Sequence, residues 1–121
     1  MPLFDVTSVA LERALAGAAQ RQAILANNIA NANTPGFRRS DLDFHTALAE
    51  ALERGASAAE LRNLPLQPQM DESGAVRVDG SNVNVEREMA SLAENSLEYQ
   101  SIVAVMRARV HMLEQAITGR V

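Results

Sequence analysis

Four asparagines, Asn27, Asn28, Asn31 and Asn33, fall within seven positions just ahead of Thr34-Pro35-Gly36-Phe37. A carboxamide both donates and accepts hydrogen bonds, so such a cluster can hold another backbone. Asn is also a poor helix former, because its side chain competes for nearby backbone groups. Pro35 and Gly36 are helix stops, and a fraying helix end accounts for Asn33. It does not account for Asn27, Asn28 and Asn31, which lie one to two turns further in. Their amides are therefore expected to bond a neighbouring subunit or the returning chain. Asn27, Asn28, Ile29, Asn31, Asn33, Pro35, Gly36 and Phe37 form one expected assembly motif.

The remaining polar residues offer no catalytic constellation. His45 and His111 lie far apart in sequence, and there is no Cys to join them in a metal site. Asp41 and Asp43 flank a helix start, as do Glu86 and Glu88, where the helix dipole favours anions. Arg38-Arg39 could grip a partner's carboxylates, although adjacent arginines are commonly solvated. Met89, Met106 and Met112 read as fillers on a helix face. There is no phosphate loop and no dinucleotide fingerprint. No catalytic, metal or cofactor site is expected, and an enzyme is not expected.

Composition narrows the class further. The chain has 121 residues and a formal net charge of -4, which argues against a nucleic-acid partner needing a basic stripe. Hydrophobic residues make up 47%, but aromatics only 3%. Ala supplies much of the apolar content, so each residue brings little area to bury. Long helices that complete their burial against neighbours suit this balance better than a self-sufficient core. No run approaches the ~18 apolar residues of a membrane span, and direct membrane insertion is not expected. Asp5 and Glu12 interrupt the N-terminal stretch, which does not read as a cleaved secretory leader.

The elements that must carry these residues follow from periodicity. Residues from about 4 to 33 read as one helix, with Phe4, Leu11, Leu15, Ala18, Leu25, Ile29 and Ala32 on heptad steps; Leu11, Leu15, Leu25 and Ile29 anchor this N-terminal seam. Beside it runs a stripe of Ala16, Ala19, Ala23, Ala26 and Ala30. Small side chains let a second backbone approach, but Ala is also simply a good helix former. Residues from about 84 to 118 read as a second helix. Val85, Met89, Leu92, Ser96, Tyr99, Val103, Met106, Val110, Leu113 and Ile117 alternate in steps of four and three. That pattern predicts a coiled-coil seam, with the first helix as its antiparallel partner.

Between them lie most of the Pro and Gly. Ser40-x-x-Asp43 resembles a capping box opening a short helix at about 41–54, with Leu42, Phe44, Leu48 and Leu52 on its apolar side. Residues 56–68 hold at most a helical turn, and 69–79 could form a small hairpin around Ser73-Gly74. The expected fold is mainly all-α: two long terminal helices paired as a coiled coil, with an irregular middle projecting from one end. Residues 1–34 and 80–121 make a discontinuous helical assembly domain, and 35–79 a small middle segment.

The run Ala26-Asn27-Asn28-Ile29-Ala30-Asn31-Ala32-Asn33-Thr34-Pro35-Gly36-Phe37 resembles the N-terminal motif of bacterial flagellar axial proteins, the rod, hook and junction subunits. The continuation from Arg38 to Phe44 looks like that of proximal rod subunits. So does Asn82-Val83-Asn84-Val85-Glu86-Arg87-Glu88-Met89, followed by Asn95 and Tyr99. The resemblance covers about residues 3–54 and 80–118, and Asn33 stands where Asp would be more usual. It implies a structural subunit of the basal-body rod that polymerises through its terminal helices into drive shaft and export conduit. It also implies type III export without a cleaved signal and a place on the periplasmic side. The implied partners are the chain itself, other rod subunits, the adaptor FliE, and the export gate or MS ring. Another axial rod subunit, or a free-standing helical adaptor, is the competing reading.

Overall fold

A computed structural model describes residues 5–119. Its elements are α1 (Val6–Ala30), β1 (Ser40–Asp41), α2 (Phe44–Glu53), α3 (Ala58–Arg62), β2 (Gln69–Met70) and α4 (Val85–Thr118). The architecture is mainly helical, with α1 and α4 packed against each other and running antiparallel. Phe4, expected in the N-terminal seam, lies outside the described residues.

Each helix begins where a side chain replaces a missing backbone acceptor. Asp5 accepts from Ser8 N–H at 2.8 Å to open α1. Asn84 does the same for Arg87 N–H at 3.2 Å and opens α4, with Glu86 and Glu88 in the first turn. Gly119, in the left-handed conformation at φ 72°, closes α4 after 34 residues. Asn31 caps α1, slightly earlier than the periodicity predicts.

The short helix differs from expectation in its start. Asp43, not Ser40, is the cap: its carboxylate accepts from Thr46 N–H at 3.1 Å and Thr46 Oγ1 at 2.7 Å. Ser40 instead lies in β1, which pairs antiparallel with β2, Ser40 opposite Met70 and Asp41 opposite Gln69. The hairpin expected at 69–79 does not form, because its first strand pairs with β1. A serine–glutamate cap appears instead at α3, where Ser57 Oγ accepts from Glu60 N–H at 3.2 Å.

The middle segment also does not project from one end. It folds back along α1, and the core lies between them: Val9 and Ala18 of α1 with Leu42, Phe44, Leu48, Ala51, Ala56 and Leu61. Ile102 of α4 packs against the same cluster. Arg13 donates to the Leu64 carbonyl and Gln20 to that of Leu66, tying the return strand to α1. Leu52, expected inside, is exposed, and Ala51 takes its place. Gly17 makes the close approach possible. A Cβ there would lie 2.5 Å from Phe44 Cγ and 2.8 Å from Phe44 Cβ.

Candidate assembly surfaces and the polar clasp

Where the middle segment leaves α1 and α4 begins, the chain is tied by buried polar groups. Asn28 has no exposed surface. Its Nδ2 donates to the Ser40 carbonyl at 2.7 Å and to Glu88 Oε2 at 3.2 Å, and its Oδ1 accepts from Ser40 N–H at 3.1 Å. One carboxamide thus fastens β1 to α1 and both to α4. Arg39 extends the clasp. Its guanidinium donates to Glu88, Asp71 and Asp41, the last at 3.3 Å. Asp41 also takes the Arg21 guanidinium at 2.8 and 3.2 Å.

Asn82 sits in the same cluster. It accepts from Arg39 N–H at 2.8 Å and donates to the Asp71 carbonyl at 2.6 Å. Glu88 is 2% exposed and takes hydrogen bonds from Arg39 and Asn28, the pairing that a buried carboxyl group requires. For Asp41, burial pushes the carboxyl up, but the Arg21 hydrogen bond and charge, the Leu42 N–H and the Arg39 hydrogen bond together hold it below the usual range. Asp71 is lowered mainly by hydrogen bonds from Ser73, with Arg39 adding to them. For Arg39, burial works against the charge and the bond to Glu88 outweighs it, so its pKa rises.

A second set of bonds closes the turn that follows Pro35. Gly36 N–H donates to the Asp79 carbonyl at 2.8 Å, and Asn82 N–H to that of Phe37 at 3.3 Å. Arg77 donates to the carbonyls of Ala32 and Val83. Gly80, at φ 87°, passes so close that a Cβ would stand 3.2 Å from the Gly36 Cα. The Pro-Gly motif is thus a docking point for the 77–82 loop.

The Asn cluster divides accordingly. Asn28 bonds the returning chain. Asn31 stays local, donating to the Asn27 carbonyl at 2.9 Å and accepting from Thr34 Oγ1 at 3.2 Å. Asn27, Asn33 and Pro35 are exposed, and Ile29 and Phe37 half-buried.

The helix faces are the other candidate surfaces. All of Ala16, Ala19, Ala23, Ala26 and Ala30 are exposed. Leu25 is buried; Leu11, Leu15 and Ile29 are half-buried. On α4 the column turned to α1 is Glu88, Asn95, Ile102 and Arg109. The expected apolar seam lies partly beside it. Leu92, Met106 and Leu113 are half-buried at the margin, as is Val103. Val85, Met89, Tyr99, Val110 and Ile117 are exposed, Ile117 at 81%. Leu15, Val103, Met106 and Val110 line a shallow apolar groove between the two helices.

Comparison with known proteins identifies the family. The profile of a family described as Flagella basal body rod protein matches residues 10–38, the α1 and Asn–Pro–Gly region. The flagellar basal body rod protein FlgB of Bacillus subtilis is 31% identical over 127 aligned positions, covering 98% of both chains. The chain belongs to the FlgB family of flagellar basal body rod proteins. FlgB of Yersinia ruckeri is 36% identical over 108 positions, covering 76% of this chain and 79% of its own. FlgB of Escherichia coli is 32% identical over 108 positions. This FlgB-family chain is a structural subunit of the flagellar basal-body rod. No described helix is long and apolar enough to cross a membrane.

Several residues that hold this fold together stand inside the sequence motifs, but their roles are not legible there. Arg39 reads as a solvated neighbour of Arg38, and Glu88 as a helix-dipole acid. Their meeting needs the fold to bring residues 49 apart in sequence together. Asn95 has a faint signal, because Glu88, Asn95, Ile102 and Arg109 recur every seven residues next to the apolar seam. His45 pairs with Glu98 and stacks on Phe44, bracing α2 against α4, while His111 is exposed.

Proposed function

We propose that the chain polymerises through the outward faces of α1 and α4 into the drive shaft and export conduit of the rod. Residues 1–34 and 80–121 act as the assembly unit, and 35–79 as a brace held on it by the clasp. Its partners are further copies of itself, the other rod subunits and the adaptor FliE, at the rod end next to the export gate and MS ring. It reaches the periplasmic side by type III export without a cleaved signal. Its role is mechanical and not catalytic.

The observation that carries this reading is the position of the free apolar surface. Met89, Val110 and Ile117 of α4 and the whole Ala row of α1 lie outside the chain's own core. Exposed apolar rows along a helix are candidate interaction surfaces. A chain with different faces on different sides makes head-to-tail contacts that need not close, which is the geometry of a helical filament.

Val110→Asp tests it. The side chain is exposed in the chain, so the fold should persist, whereas a charge within a subunit contact should abolish rods. The yield of basal bodies by electron microscopy and motility on soft agar are read together, with secretion of the variant assayed separately. Glu53→Gln, on an exposed position of α2, is the control. Normal rods from Val110→Asp would remove α4's outer face from the assembly.

A further inference from the structure

We infer that Asn95, with Glu88 and Arg109, sets the register and rotation of α4 on α1, and so decides which face of α4 is left outside. The three residues occupy one column of α4, seven or fourteen residues apart, and each ends on α1. Glu88 meets Asn28 at 3.2 Å. Asn95 Nδ2 donates to the Ala18 carbonyl and to Gln22 Oε1, both at 2.8 Å. Arg109 reaches Asp5 at 3.3 Å and Ser8 Oγ at 3.2 Å. The partners run 28, then 18 and 22, then 5 and 8, so three separated contacts define one antiparallel alignment.

Burial makes Asn95 the decisive member. It has no exposed surface, and its Oδ1 has no hydrogen-bond partner among the described residues. A polar group in that state costs stability that an apolar side chain would not. Polar residues at single seam positions are known to trade stability for register. The neighbouring column, Met89, Ser96, Val103, Val110 and Ile117, is richer in apolar groups. Burial alone would turn it toward α1. The column actually turned inward carries Glu, Asn and Arg, so hydrogen bonding and charge decide the rotation against hydrophobic preference.

The sequence of α1 shows why the alignment is single-valued. Ala18 is small, so its carbonyl is open to Asn95, and Gln22 one turn on offers a second oxygen. A slip of one heptad replaces this pair by Leu25 and Ile29, or by Leu11 and Leu15. Either pair covers the carbonyl with a bulky side chain and offers no amide. The slipped states leave Asn95 wholly unsatisfied and are penalised for it.

The test reads register directly on the purified full-length chain, independently of whether it polymerises. With no Cys in the sequence, Glu12→Cys and Glu86→Cys place spin labels on exposed positions far apart along the helix pair. A one-heptad slip then changes their separation by about 10 Å. The parent should give one narrow distance by pulsed electron resonance. Asn95→Leu should be at least as resistant to urea as the parent, yet give a second or broadened distance. Asn95→Leu with one distance identical to the parent's would overturn the inference. So would an Asn95→Leu chain that is less stable than the parent, because Asn95 would then be a stability anchor and not a register device. A parent without a single distance would overturn it equally.

Discussion

Gly17 stands inside α1, where alanine would bring about 1 kcal/mol of helix propensity. The Phe44 ring occupies the space that a Cβ would need. Gly17→Ala is therefore expected to destabilise the chain by about 1–3 kcal/mol despite the better helix former. Urea denaturation measures this, and pairing it with Phe44→Leu should recover part of the loss; a more stable Gly17→Ala would mean that Phe44 does not rest there. Arg39 makes a similar case in charge. Arg39→Met leaves Glu88 buried beside Asn28 alone and should cost about 3–5 kcal/mol. Adding Glu88→Met should recover much of it, because the pair is replaced by apolar groups of similar size. If the single variant is no less stable than the double, Glu88 does not depend on Arg39. Neither residue is recognisable from its neighbours in sequence, since its partner arrives from another element.

At the scale of elements, α1 and α4 each carry one face for the chain and one that the chain leaves free. Leu25 is wholly buried, so Leu25→Asp should unfold the chain itself, at a cost of several kcal/mol. Ala23 is exposed, and Ala23→Leu should shift stability by no more than about 0.5 kcal/mol. If the Ala row is a subunit contact, the same change should still lower the yield of rods, because enlarging a tight contact is penalised in every copy. Thermal melting and electron microscopy of basal bodies, done on both variants, separate the two faces. Wild-type rods from Ala23→Leu would leave the row as helix-forming filler. The helices themselves were legible: the ends of α4 fall within a residue of those its period predicts. Its inward face was not, because adjacent columns of one heptad repeat share Leu92, Met106 and Leu113, and periodicity does not choose between them.

For the molecule as a whole, the clasp links stability to pH. Asp41 and Asp71 are held below their ordinary range in the folded chain. A carboxylate so lowered contributes stability above its unfolded value of about 3.9, and that contribution is lost as pH falls through the folded value. Stability from these groups should be level from pH 7 to about 5 and decline below about 4. Asp41→Asn should be less stable than the parent at pH 7 but lose less between pH 5 and 2. Urea titrations at fixed pH values check this, and equal acid slopes for the two chains would remove Asp41 from the linkage. The same clasp explains why the middle segment lies along α1 and does not project. Arg39 and Asn82 hold the segment at α4's start, and the Phe44 cluster holds it at Gly17.

The sequence by itself determined where the two long helices lie to within a few residues, the family, and the antiparallel pairing of the terminal helices. The helices are legible because their signals are local: Pro and Gly stops and a sustained heptad act within one or two turns of the chain. Only the tertiary structure decided that β2 pairs with β1, that Asp43 caps α2, and that α4 turns its polar column inward. The strand pairing and the polar column depend on hydrogen-bond partners distant in sequence, and Asp43 becomes the cap because Ser40 is held in β1 by Asn28 and β2. The free energy of burying Asn28, Glu88 or Asn95 is set by whether that partner is present, and no periodicity along a single helix reports it.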